Sequence, residues 1–172
     1  MPNWIEGSLK LRGPYENVKK FFQTGLNIYS HKWNEKDEKD ECTPIPREQW
    51  CKTYEDDGYF EFTILDDQWV YVENTRRAFI TGEHEIYFYK PSKSDKEDCI
   101  VAMVVHQAWA FDEDDWVEIA KKYNVDVRLY GLECGMTYGT EIEIKRDGTV
   151  LKNYDFTYMD WNWDCPFPWK GG

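Results

Sequence analysis

The dipeptide Asp147-Gly148 lies between two strand-like runs, Met136 to Arg146 and Thr149 to Tyr158, and no other feature constrains the fold of this chain as strongly. Asp-Gly readily adopts the positive φ of a tight hairpin turn, and the flanking runs supply two antiparallel strands. A two-residue turn places Ile144 opposite Leu151 and Glu143 opposite Lys152, so an apolar pair and a charge pair fall on opposite faces. The chain is therefore expected to approach its end as a hairpin with one face toward a core.

Upstream, a helix is expected between strands. Asp112 stands at its start with Glu113, Asp114 and Asp115 in the first turn, where carboxylates oppose the positive end of the helix dipole. Trp116, Ile119, Ala120 and Tyr123 recur at helical spacing, and Asn124 closes the helix before a strand from Val125 to Leu132. The N-terminus alternates Ile5, Gly7, Leu9 and Leu11 with Glu6, Ser8, Lys10 and Arg12. Gly13-Pro14 then leads into a helical stripe of Tyr15, Val18 and Phe22, with Phe21 beside it and Gly25 as the stop. Further strand-like runs cover Tyr59 to Leu65, Trp69 to Glu73, Glu85 to Tyr89 and Cys99 to Trp109, while Asn74 to Gly82 fits either a short helix or an irregular connection. Residues 30–48 read as a polar, charged insertion or loop, and residues 159–172 as an aromatic, proline-interrupted tail that wraps over the surface. The expected fold is one α+β domain over residues 1–172, an antiparallel sheet with helices packed on one face.

Composition decides what such a domain can bind. With 41% hydrophobic and 17% aromatic residues, 172 residues suffice for a core despite a mean hydropathy of -0.78. The 33 Asp and Glu against 21 Lys and Arg leave a net charge of -12, which repels polyphosphates and anionic membranes and attracts cationic surfaces. Nucleic acid is thereby disfavoured as a direct ligand. Cys42, Cys51, Cys99, Cys134 and Cys165 are odd in number and include no CxxC pair, as expected in a reducing cytoplasm. The longest apolar run, Ile100 to Val105, is strand-sized, so a soluble protein without a membrane span is expected.

Three short segments carry a resemblance. Met1-Pro2-Asn3-Trp4, the Ala108-Trp109 pair before a Trp-bearing helix, and Tyr130-Gly131-Leu132-Glu133-Cys134-Gly135-Met136-Thr137-Tyr138-Gly139 ahead of Asp147-Gly148 together resemble the YubB-type ferredoxin-like proteins of phages and plasmids. The resemblance spans roughly residues 1–26 and 100–158. It implies a ferredoxin-like sheet, a mobile-element origin and a bacterial host cytoplasm, and it brings no catalytic residue. By analogy of class it also implies an inhibitor of host machinery whose carboxylates imitate the phosphate backbone of DNA.

Enzyme chemistry finds little support in the residues. The run Asp112 to Asp115 could suggest a magnesium-dependent nuclease, but such sites draw carboxylates from several elements, whereas successive helix positions splay about 100° apart. A solvated helix start accounts for it. Asp56-Asp57 and Asp66-Asp67 sit beside turn signals. His31, His84 and His106 are isolated, and Cys42 and Cys51 are too far apart for a zinc knuckle, so no metal and no cofactor is expected. Cys134, in a Glu-Cys-Gly turn, could act as a nucleophile with His106 as its base, and an unreactive turn or buried thiol is the plainer reading. Gly135 and Gly139 form no phosphate loop, since no Lys-Ser or Lys-Thr follows them.

Binding has more behind it. Carboxylates accompany tryptophans in three places: Glu55, Asp56 and Asp57 near Trp50; Asp112 to Asp115 near Trp109; Asp160 and Asp164 with Trp161 and Trp163. Aromatic residues anchor interfaces, and rim carboxylates steer a partner rich in Arg or Lys. The plainer alternative is that these tryptophans fill a core and the acids aid solubility. Tyr59, Phe60, Phe62, Tyr87 and Tyr89 could form a base-stacking platform, but flanking cations and an RNP-type motif are missing, and packing under the helices is the alternative. The expected function is that of an acidic accessory protein, monomer or homodimer, that is not an enzyme. It would bind and inhibit a basic host protein or nucleoprotein complex, such as a CRISPR effector, as a DNA mimic. Its contact residues would be Asp56, Asp57, Asp112, Glu113, Asp114, Asp115, Asp160, Trp161, Trp163 and Asp164. An RNA- or single-stranded-DNA-binding module and a small enzyme acting on a nucleotide or protein are the alternatives.

Overall fold

The computed structural model describes residues 3–34, 39–66, 68–81, 85–91 and 97–169. Along them run β1 (Trp4–Gly13), α1 (Tyr15–Thr24), β2 (Leu26–Asn27), β3 (Tyr29–Asn34), β4 (Lys39–Pro44), a 3-10 turn at Arg47–Gln49, β5 (Cys51–Asp56) and β6 (Tyr59–Ile64). There follow β7 (Val70–Val72), β8 (Ala78–Ile80), β9 (Glu85–Tyr89), β10 (Cys99–Ala108), α2 (Glu113–Tyr123), β11 (Asp126–Glu133), β12 (Tyr138–Ile144), β13 (Val150–Thr157) and α3 (Trp161–Asp164).

Eight strands make one antiparallel sheet in the order β13-β12-β11-β1-β10-β8-β7-β2, while β5-β6-β9 form a second sheet and β3-β4 a hairpin. The alternation in β1 sets the faces of the large sheet. Ile5, Leu9 and Leu11 enter the core with Val101, Met103 and Val105 of β10 and Val127 and Leu129 of β11, while Lys10 and Arg12 stay exposed on the other side.

This architecture corrects the expected α+β, ferredoxin-like arrangement of helices packed on a sheet. The chain is mostly antiparallel β-structure organised on an eight-stranded sheet, and its three α-helices are only ten, eleven and four residues long. The strands absent from the sequence reading are polar or short. β5 buries only Cys51 of its six residues, β8 has three residues, and β3 and β4 fall largely within the charged 30–48 segment. None offers enough apolar periodicity to reveal a strand.

Helix α1 sits against the second sheet through aromatic packing. Phe22 meets Phe62 at 5.4 Å, Phe88 at 5.7 Å and Phe60 at 6.3 Å between ring centroids, and Phe21 meets Tyr123 of α2 edge-on at 5.3 Å. Arg47 donates to the carbonyls of Phe22 (2.7 Å) and Leu26 (2.8 Å), satisfying a backbone acceptor near the end of α1, and its guanidinium covers the Trp50 ring at 4.8 Å.

The terminal hairpin forms with a three-residue loop in place of the expected two. The Lys145 N–H donates to Thr149 (2.9 Å), the Gly148 N–H donates to Lys145 (2.8 Å), and Gly148 has φ +89°. Glu143 opposes Lys152 as expected. A register shift beyond Glu143 pairs Ile144 with Val150 and leaves Leu151 exposed.

Candidate binding surfaces

Alternation in the second sheet separates two kinds of aromatic residue. Phe60, Phe62, Ile86 and Phe88 turn inward, whereas Tyr59, Glu61, Tyr87 and Tyr89 share the opposite face with Tyr54 and Asp56 of β5. The register builds this outer face in three rows: Asp56, Tyr59, Tyr89; Tyr54, Glu61, Tyr87; and Lys52, Thr63, Glu85. Tyr59 stands 6.1 Å from Tyr54, 6.2 Å from Tyr87 and 5.1 Å from Tyr89 between ring centroids. Tyr54, Tyr87 and Tyr89 are 55%, 57% and 62% exposed, so solvent or a partner reaches them.

Hydroxyl-to-carboxylate bonds hold the array in place. Tyr59 donates to Glu61 (2.6 Å), Thr63 also donates to Glu61 (3.1 Å), and Tyr54 donates to Asp56 (3.3 Å). The bond to Glu61, and secondly burial, push the Tyr59 phenol up to about 12, and the Asp56 charge raises that of Tyr54. Both phenols therefore remain neutral donors at physiological pH. The result is a patch of electron-rich ring faces interspersed with three carboxylates and one lysine, suited to guanidinium and ammonium groups.

The sequence-derived contact residues divide sharply. Asp56 belongs to this patch, and Asp57 occupies the β5–β6 turn with φ 37°. Asp112 pairs with Arg76 (3.7 Å), Glu113 accepts from Asn153 (2.7 Å), and Asp115 accepts from the Arg76 backbone N–H (2.6 Å) and the Gln107 amide (3.0 Å). Burial pushes the Asp115 carboxyl up, and Asp114 alone of the four is exposed. Asp160 accepts from the Trp163 N–H (3.3 Å), and Asp164 accepts from the Asp160 N–H (3.0 Å). Trp161 is buried and donates to the Pro168 carbonyl (3.0 Å), whereas Trp163 is 87% exposed. Among the described residues, no hydrogen bond or ion pair joins these three groups to one another. Trp50 is buried, and Trp109 is exposed.

A second aromatic group occupies the face of the large sheet opposite α1 and α2. One register row crosses all eight strands through Asn27, Tyr71, Phe79, His106, Glu6, Leu132, Gly139 and Phe156. The C-terminal segment covers one end of this row, where Trp161 and Cys165 bury Leu132 beside Phe156, Tyr130 and Tyr158. Toward the other end, Trp69 stacks on His106 at 5.0 Å and meets Phe79 at 5.6 Å, and Phe79 meets Tyr71 at 5.7 Å. Trp69, Tyr71 and His106 lie in runs that read as strands, but Phe79 falls in the ambiguous Asn74 to Gly82 stretch, and only the sheet order brings these rings together.

The enzyme candidates find no joint site. His106 bonds Thr81 (2.8 Å) and faces Glu6 (3.5 Å), while Cys134 packs at the margin of the Trp161 cluster. Glu133 receives the Gly135 N–H (2.8 Å) and the Met136 N–H (2.5 Å), which accounts for the Glu-Cys-Gly turn. Among the described residues, no group of three or more His, Cys, Asp or Glu side chains could hold a metal ion, and no helix is long and apolar enough to cross a membrane. His84 and Asp67 lie outside the described residues. No protein-family model, curated protein or solved structure matches the chain.

Proposed function

We propose that this chain works by binding, not by catalysis, and that it docks an Arg- or Lys-rich protein surface on the outer face of its second sheet. The observation that carries this reading is the array of Tyr54, Tyr59, Tyr87 and Tyr89 around Asp56, Glu61 and Glu85. Tyrosine offers rigid contact area at small entropic cost, and its ring attracts cations. The carboxylates between the rings add short-range attraction, and the net charge of -12 steers a basic partner from a distance.

In its finer form the protein is a phage- or plasmid-borne inhibitor in the bacterial cytoplasm. It would fill the phosphate-binding channel of a nucleic-acid-dependent defence complex such as a CRISPR effector. The net charge and the resemblance to the YubB-type proteins support this form.

A pull-down from bacterial lysate carrying defence systems, using the full chain and a Tyr87→Ser/Tyr89→Ser/Glu61→Gln variant, tests the reading. A basic protein retained by the parent chain, released at raised salt and lost with the variant is the expected result. Equal capture by both chains, or capture indifferent to salt, would refute docking on this face. Binding of single-stranded RNA at physiological salt in a gel shift would replace it with a nucleic-acid-binding function.

A further inference from the structure

The aromatic group on the large sheet borders a pocket of about 740 Å³ lined in part by Tyr29, Trp69, Tyr71, Glu73, Arg77 and Phe79. Its walls are rings in sequence: Tyr29 to Tyr71 at 5.9 Å, Tyr71 to Phe79 at 5.7 Å, and Phe79 to Trp69 at 5.6 Å. Trp69 is 45% exposed, so the wall is open to a ligand. The volume lies within the range of sites for small organic molecules.

One carboxylate is fixed in this aromatic surround. The Tyr29 hydroxyl (2.6 Å) and the Asn27 amide (2.9 Å) both donate to Oε1 of Glu73, and Oε2 has no bond to a described residue. Tyr71 donates its own hydroxyl to the Thr75 carbonyl (2.5 Å), which leaves its ring face available. Arg77, the cation at the rim, lies with its guanidinium 5.5 Å over the Trp4 ring, and His31 and Cys42 close the pocket on the β3–β4 side. Several aromatic faces around an anchored carboxylate form a low-dielectric site in which a bulky, weakly hydrated cation is favoured over sodium.

We infer that this pocket binds an alkylated ammonium head group, held by ring faces of Tyr29, Trp69, Tyr71 and Phe79 and by the anchored Glu73 carboxylate. The head group could belong to a free small molecule or to a methylated lysine side chain, and the chemistry is shared. This site lies on a different sheet from the tyrosine patch and does not depend on it.

Proton–nitrogen correlation spectra of the full chain, titrated with choline chloride, test the inference. Controls are sodium chloride at matched ionic strength and the neutral tert-butyl analogue of choline. Choline is expected to shift the Trp69 indole N–H and the Tyr71 and Glu73 amides saturably, and neither control should. Glu73→Gln, which keeps an acceptor for Tyr29 and Asn27, and Trp69→Leu, at an exposed position, are each expected to weaken binding about tenfold. Tyr87→Ser/Tyr89→Ser should leave it unchanged, so failure here is distinguishable from failure of the docking face. A trimethyllysine peptide that binds more tightly than choline assigns the head group to a side chain, and equal binding assigns it to a small molecule. The site is overturned if the neutral analogue shifts the same resonances with equal affinity, or if both folded variants bind choline like the parent.

Discussion

Asp126→Asn should destabilise the chain in a pH-dependent way. Asp126 begins β11 and receives the Arg12 Nε (2.9 Å), together with the Arg146 backbone N–H (3.0 Å), Nε (3.1 Å) and terminal guanidinium nitrogen (3.1 Å). Arg146 also forks onto both oxygens of Asp98 at 3.3 and 2.6 Å, so one guanidinium ties the last hairpin loop to the starts of β10 and β11. Burial alone would raise the Asp126 carboxyl, but the bonds from Arg146 and Arg12 outweigh it and lower the value from 3.8 to about 2. A depression of that size corresponds to about 2 kcal/mol of stability at neutral pH. Because the folded value lies below the unfolded one, the contribution is complete above about pH 5 and is lost as pH falls toward 2. Urea unfolding should therefore separate parent and variant by about 2 kcal/mol at neutral pH, with the gap narrowing below about pH 4. A gap unchanged between neutral pH and pH 3 would show that ionisation of Asp126 is not the cause.

Three further changes probe the packing. Gly131→Ala would place its Cβ 2.4 Å from the Phe111 ring, and a loss of about 1–3 kcal/mol in thermal or urea unfolding is expected. Trp161→Ala should cost about 3–5 kcal/mol, whereas Trp163→Ala, at a residue 87% exposed, should stay within about 0.5 kcal/mol; equal effects would contradict the placement of the C-terminal segment. Toward a thiol reagent at mildly alkaline pH, exposed Cys42 should react first. Cys99, buried and raised by that burial to about 11, should react only after denaturant is added, as followed by mass spectrometry.

The chain's local patterns were legible and its assembly was not. Helix α2 lies where the Trp116, Ile119, Ala120 and Tyr123 stripe places it, because an amphipathic stripe flanked by acids and an Asn cap specifies a helix with little help from its surroundings. The β1 alternation likewise marks a strand with one buried face. The large sheet escaped because β8 and β2 contribute only three and two residues, and such short strands are defined by their neighbours. The same holds for Leu151, whose place opposite Ile144 was lost to a bulge that the Asp-Gly signal does not encode.

The contrast between acid runs and the tyrosine patch has a general physical cause. Neighbours in sequence at a helix start or tight turn find nearby backbone N–H groups and are engaged there, as Asp160 and Asp164 are, or meet the adjacent loop, as Asp112 and Asp115 do. A strand instead sends alternate residues to one face, so a surface patch is assembled from positions two apart on strands distant in sequence. Tyr54 and Asp56, Tyr59 and Glu61, and Tyr87 and Tyr89 follow that rule. Within Tyr59 to Phe62 the alternation already separates the outward Tyr59 and Glu61 from the inward Phe60 and Phe62. Their joining to Tyr54 becomes visible only once β5 is recognised as a strand, and β5 has a single buried residue to announce it. Among the described residues, the carboxylates dispersed among the rings are placed to meet a partner, while Asp112, Glu113, Asp115, Asp160 and Asp164 are engaged within the fold.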